Sequence, residues 1–424
     1  MKKYIYHIIL LSVLLCYPMA AQENLLFYDV QKAKQSNIAF QDISASLVKS
    51  DIGNKDILKQ FLNGNEVSSI QYTPSKGQKL GNALAFKLPL KNKNVELELL
   101  EAPSSYEVVT SDGQRYPANS EIKHYQGTVK GQPGSVVALT FYEDEIMGFV
   151  ATDEGNYNIS KENASGKHLV FLESNLKGKR HFDCGTSDYP EDWDGDSMYD
   201  PEILLQEFSA PKVVSANAEE EPLYFPDNPG KYVRLYIETE HDIYQHFEGS
   251  TTAVETYVSG LMNQVRTLYY KENITAMLYQ LHIWTTADPY TGTSAETLLS
   301  QFQNTRTSIS CDLGMLLTFK GVPQGIAAEI GGVCNSNTAN KLAVSFVNQY
   351  YPETLVYSRT VKVVTHEFGH LLGSRHSGTL HRQATSTGED VMFDVSGLKN
   401  GFYILHVHDG IADKPEVHKI IVNH

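Results

Sequence analysis

The sequence predicts an α+β protein: a β-rich N-terminal domain, then a domain in which the strands of a mixed sheet are interleaved with long helices. Two observations lead there. Residues 22–182 are dense in short alternating or apolar runs broken by Gly, Pro and Asp, the texture of strands and turns. Beyond residue 231, strand-like runs lie between segments of helical period, the α/β-like mixture of an α+β domain. Length agrees, since 424 residues exceed one ordinary domain and suffice for two or three.

Residues 1–21 read as an export signal. Lys2 and Lys3 give a basic start, Ile8 to Leu15 an apolar run too short to span a bilayer, and Ala20 and Ala21 small residues for cleavage. Bulky Leu15 before Cys16 speaks against a lipobox. The expected location is therefore secreted or cell-surface, with no transmembrane segment in the mature chain.

In residues 22–182, NALAFKLPL, VELELLEAP and the stretch 125–159 carry the strand pattern, while 30–62 is more polar and has no clear period. Residues 183–211 hold nine acidic side chains and no basic one. With its Gly, Pro and Ser, the segment 183–230 reads as an exposed acidic linker, either a plain connection or a site of proteolytic maturation. From 231 to 385 the texture is mixed. KYVRLYIETEH, ITAMLYQLHIWTT, LGMLLTF and KLAVSFVN read as strands. Residues 250–270, with Val254, Val258, Leu261, Val265 and Leu268 in phase, and SAETLLSQFQNTRTSIS read as helices. Residues 386–424 form a short strand-patterned tail.

The formal charge of −15, from 35 basic and 50 acidic residues, excludes the basic footprint that a nucleic-acid partner needs. Four cysteines include Cys16 in the signal, leaving three in the mature chain. Cys311 and Cys334, near each other in one segment, are the expected disulfide, with Cys184 left as the odd thiol.

The chemistry concentrates in TVKVVTHEFGHLLGSRH, residues 360–376. Val361, Val364, Phe368, Leu371 and Leu372 give the buried face of a helix. His366 and His370, four apart, stack on one face and can reach one metal, while Glu367 projects beside them as a base for a metal-activated water. Gly373 suits a left-handed helix end, after which the chain can turn back and bring His376 as third ligand. With 30 Gly and 15 His in the chain, fixing these two further positions reduces chance matches about 400-fold. The ion implied is Zn²⁺, and the reaction is peptide-bond hydrolysis with Glu367 as general base.

These residues resemble the metzincin signature H-E-x-x-H-x-x-G-x-x-H, and the wider context is similar to the adamalysin/reprolysin branch over roughly 120–376. In GMLLTFKGVPQGIAAEIGGVC the resemblance implies an edge strand, Gly325, Ile326, Ala327 and Ala328, that pairs with an extended protein or peptide substrate. The stretch 125–159 is similar to reprolysin propeptides. That implies a zymogen inhibited by its own propeptide, and it makes Cys184, in a DCG context similar to a cysteine switch, a candidate thiolate for the zinc. An idle thiol, or one paired with Cys311 or Cys334, is the other reading. Glu219 to Glu221 lie in a plausible release region.

The family pattern breaks after His376. Met392 is a candidate for the methionine turn that metzincins place beneath the metal, but VMFDV reads better as a strand of a tail that resembles the end of a type IX secretion sorting domain. Neither a full lower catalytic subdomain nor a full sorting module fits in residues 377–424. The leading expectation is an exported zinc endopeptidase; the rivals are a catalytically impaired zinc-binding relative and a secreted adhesion or scaffold protein with a structural zinc.

Overall fold

The computed structural model describes residues 24–186 and 232–374, apart from short internal breaks of which the longest is 52–61, together with the strands Gly401–Val407 and Glu416–Val422. The chain divides into two units, Met1–Ser374 and Arg375–His424.

The larger unit is built on two sheets. The first has ten strands from the N-terminal region and is antiparallel except where Gln41–Asp42 runs parallel to Ala83–Pro89. Its two outermost strands, Gln41–Asp42 and Leu47–Ser50, are joined by one short turn at 44–46, so the sheet rolls back on itself. Inward residues of alternating strands fill it, with Phe141 in edge-to-face contact with Tyr72, Phe86 and Tyr125. Ahead of it lies a helix that the sequence did not announce, Leu25–Gln35. Asn24 caps it, and Leu26, Val30 and Ala33 at one-turn spacing pin it to the outside of the sheet.

The second sheet has eight strands in the order Asp183–Cys184, Gln324–Ala327, Leu342–Phe346, Leu313–Thr318, Val233–Thr239, Ala276–Ile283, Glu107–Thr110, Arg115–Pro117. Neighbours are parallel except for two pairs, Gln324–Ala327 with Leu342–Phe346 and Glu107–Thr110 with Arg115–Pro117. Helices cover both faces, which is why LGMLLT is buried at every position. Leu235, Ile237, Met315 and Leu317 face the helices Thr251–Lys271 and Tyr357–Leu371; Tyr236, Leu316 and Val344 face the helix Ala295–Thr305.

The expected helices and strands after 231 are present, and Ser250 and Ser294 cap the two helices through Ala253 N and Thr297 N. Sheet membership crosses the linker. The hairpin Glu107–Thr110/Arg115–Pro117 and the strand Asp183–Cys184, all from the N-terminal side, occupy the two ends of the second sheet. Helix Thr251–Lys271 also bridges the regions. Its apolar stripe lies on the second sheet, and its polar stripe is buried against the N-terminal region. There Asn263 Nδ2 donates to Leu139 O at 3.1 Å, and Glu255 Oε1 accepts from Tyr106 Oη at 3.0 Å and Asn119 N at 2.7 Å.

In the smaller unit, Gly401–Val407 pairs antiparallel with Glu416–Val422, from Gly401 opposite Val422 to Val407 opposite Glu416. No helix of the described residues is long and apolar enough to cross a membrane.

Candidate metal centre

Helix Tyr357–Leu371 turns Val361, Val364, Phe368 and Leu371 into the core, which leaves His366, Glu367 and His370 directed at the end of the sheet where Gln324–Ala327 lies. The helix stops in a Schellman turn. Gly373 has φ +102°, its N–H reaches His370 O at 2.8 Å, and Ser374 N reaches Gly369 O at 2.8 Å. The same turn sets a tautomer. His370 Nδ1 donates to Ser374 O at 2.7 Å, so Nε2 is the ring atom that carries the lone pair. That atom lies 2.9 Å from His366 Nε2, with the two rings 89° apart.

The third group is Cys184. Its Sγ is 3.5 Å from His370 Nε2, and one ligand atom from each of Cys184, His366 and His370 lies within 4.8 Å of the other two. Two imidazole nitrogens and a sulfur converging at this spacing are a zinc donor set. Glu367 lies against them, fully buried, its Oε2 3.9 Å from Cys184 Sγ and 3.2 Å from Thr186 Oγ1. Its Oε1 has no hydrogen-bond partner among the described residues. Burial raises the pKa of the Glu367 carboxyl, and burial followed by the nearby carboxylate raises that of the Cys184 thiol. A divalent cation among these donors would reverse both tendencies, and the orphaned carboxylate oxygen marks where positive charge or a proton is wanted. The residues therefore fit zinc.

Cys184 reaches the centre because it is a strand residue. Asp183 and Cys184 pair in parallel with Gln324 and Gly325, and Gly185 N donates to Gly325 O at 2.9 Å. Thus the segment expected to receive an extended substrate forms the strand Gln324–Ala327, with Ala328 just past its end bonded to Leu342 O at 2.9 Å, and its outer side carries the chain's own residues 183–186. Gly325 faces the carboxylate: a Cβ there would overlap the end of Glu367.

Not every predicted residue falls in this region. His376, Met392 and Glu219 to Glu221 lie outside the described residues. Cys311 is a buried free thiol, and Cys334, its expected disulfide partner, lies outside the described residues. Cys311 packs among Tyr236, Phe302 and Leu342, where apolar surroundings push its thiol up to about 12. Sequence reasoning missed two contributors. Ser374 orients His370 through its carbonyl, which no side-chain pattern reports. Thr186 was read as linker, and only its hydroxyl two residues after Cys184 hinted at a polar role.

Comparison with known proteins agrees with this centre. Residues 230–404 match Reprolysin_5, metallo-peptidase family M12. The snake venom metalloproteinase trimerelysin-2 of Protobothrops flavoviridis is 30% identical over 157 residues, 35% of this chain and 74% of that protein. The zinc metalloproteinase-disintegrin-like atrase-B of Naja atra is 24% identical over 288 residues, 65% of this chain and 44% of that protein, so the chain spans under half of this relative's length. Among solved structures, metalloproteinase-II from Bacteroides fragilis aligns with 70% of this chain and 82% of its own at 12% identity and a TM-score of 0.42, a likeness too distant to carry an argument.

Proposed function

Because this chain belongs to the reprolysin family M12 of zinc metallopeptidases, we propose that it is an exported endopeptidase kept latent by its own N-terminal region. His366, His370 and, by the motif, His376 hold the zinc of the active form; Cys184 joins His366 and His370 in the latent form. When bound, zinc acts as a Lewis acid toward water and the scissile carbonyl and offsets the negative charge that develops there.

The chain's own groups do the rest. Glu367 takes the proton of the attacking water and returns it to the departing amine. Residues 325–328 hold an extended peptide by main-chain hydrogen bonds once residues 183–186 have left. Residues 1–21 direct export, 22–182 form the propeptide, 183–230 contain the cleavage that releases it, 231–385 are catalytic, and the tail from 386 engages type IX secretion machinery.

The observation that supports this reading best is the placement of Cys184 Sγ, 3.5 Å from His370 Nε2, on a segment paired with the edge strand. A thiolate there excludes the water that hydrolysis requires. The test uses the full chain, loaded with zinc and nicked by limited proteolysis within 187–231. One zinc per chain and cleavage of a denatured protein, lost in Glu367→Gln with zinc retained, are expected. Stoichiometric zinc without cleavage would refute the peptidase, and no zinc would refute the centre.

A further inference from the structure

The outward groups of the edge strand are few. Ile326 pairs inward with Val344, so the main-chain N–H and C=O of Gly325 and of Ala327 face outward, Gly325 O and Ala327 N among them. Residues 183–186 engage Gly325 O and Ala327 N by different means. Gly185 N donates to Gly325 O at 2.9 Å, an ordinary ladder bond. Ala327 N donates at 2.7 Å not to a carbonyl but to the side chain of Thr186. The same Oγ1 donates its proton to Glu367 Oε2 at 3.2 Å, and Thr186 N donates to Cys184 Sγ at 3.4 Å. A hydroxyl has one proton and two lone pairs. Here the proton goes to the base and one lone pair to the edge strand, in a residue only 8% exposed. Gly185 permits the approach, since a Cβ there would stand 3.3 Å from Ile326 Cδ1.

We propose that Thr186 is a second inhibitory element of the N-terminal region, which ties up the base Glu367 and the substrate-pairing amide of Ala327 at once and acts beside Cys184 rather than through it. The meaning of latency rests on the peptidase reading; the contact does not. Blocking a metal position excludes water. Occupying Glu367 Oε2 and Ala327 N removes the proton acceptor and the peptide anchor. Removal of the thiol alone therefore leaves the cleft partly closed.

The experiment compares the full chain with Thr186→Val, which keeps the shape and loses the hydroxyl, and Thr186→Ser, which keeps the hydroxyl. Hydrogen exchange of the peptide spanning 324–328 and the rate of Cys184 alkylation are read in the metal-free chain. Thr186→Val is expected to speed exchange at this edge roughly tenfold and alkylation severalfold, as the loss of a buried hydrogen bond implies; Thr186→Ser is expected to match the parent. Unchanged exchange and alkylation in Thr186→Val would overturn the proposal. In the zinc-loaded full chain, Cys184→Ala/Thr186→Val is expected to cleave severalfold faster than Cys184→Ala alone; equal rates in two active variants would also overturn it. Should Glu367→Gln show that no cleavage comes from this centre, the peptidase reading falls and the exchange comparison still decides Thr186.

Discussion

Gly325→Ala tests whether the edge strand and the base are built as one piece. The substitution adds a single methyl group, but that methyl would overlap the carboxylate end of Glu367, a side chain with no exposed surface. Relief by sliding the strand is resisted on both sides, because it pairs with Leu342–Phe346 inward and with Asp183–Cys184 outward. Either the strand is strained or Glu367 is displaced. Overpacking of this kind costs about 1–3 kcal/mol of stability. A base shifted by about 1 Å loses on the order of 100-fold in rate. Thermal unfolding of the full chain reads the first, and kcat of the nicked, zinc-loaded chain the second, with KM expected to change less. A variant with unaltered melting temperature and unaltered kcat would show that Glu367 does not work from the position described, and the geometric argument would fail.

Three further outcomes are expected. Cys184→Ala raises cleavage by the unnicked, zinc-loaded chain by roughly 10-fold, equivalent to ~1.4 kcal/mol of lost inhibition; unchanged latency would refute a role for the thiol. Arg306→Ala strands Glu238, which is 0% exposed and receives Arg306 Nε at 2.6 Å and Nη2 at 3.1 Å. Urea unfolding is expected to lose about 3–5 kcal/mol, the cost of a buried carboxylate deprived of its cation, and a loss under about 1 kcal/mol would contradict it. Finally, burial lowers the pKa of His168 to about 4, and its Nε2 accepts from Ile146 N at 2.9 Å, so protonation would set two donors face to face. A lowered folded-state pKa contributes stability that is present above the unfolded value near 6.5 and lost as pH falls toward 4. Hydrogen exchange in Glu145–Thr152 and His168–Leu172 should accelerate through that window, and flat exchange between pH 6.5 and 4 would refute the linkage.

Local order fixed much of this protein in advance. Period and caps located the helices Thr251–Lys271, Ala295–Thr305 and Tyr357–Leu371, because burial of a stripe every 3.6 residues is a short-range requirement. His366, Glu367 and His370 were legible for the same reason: neighbouring turns of one helix carry their own geometry. Helix Leu25–Gln35 was not legible, since its buried stripe is only Leu26, Val30 and Ala33, and a sheet contact rather than propensity holds it. The hairpin at 107–117 was not legible either, because the strand it pairs with comes from the distant segment 276–283.

Tertiary structure alone decided which groups meet the motif. Cys184 stood in the sequence as an odd thiol with several fates, and Thr186 as one hydroxyl among many; a parallel pairing with Gln324–Gly325 carries both to Glu367. Nothing within a few residues of position 184 encodes that register, because sheet pairing is a contest among distant strands settled by the packing of the whole. The sequence by itself determined the helix that carries His366, Glu367 and His370, and the fold determined what occupies the cleft in front of it.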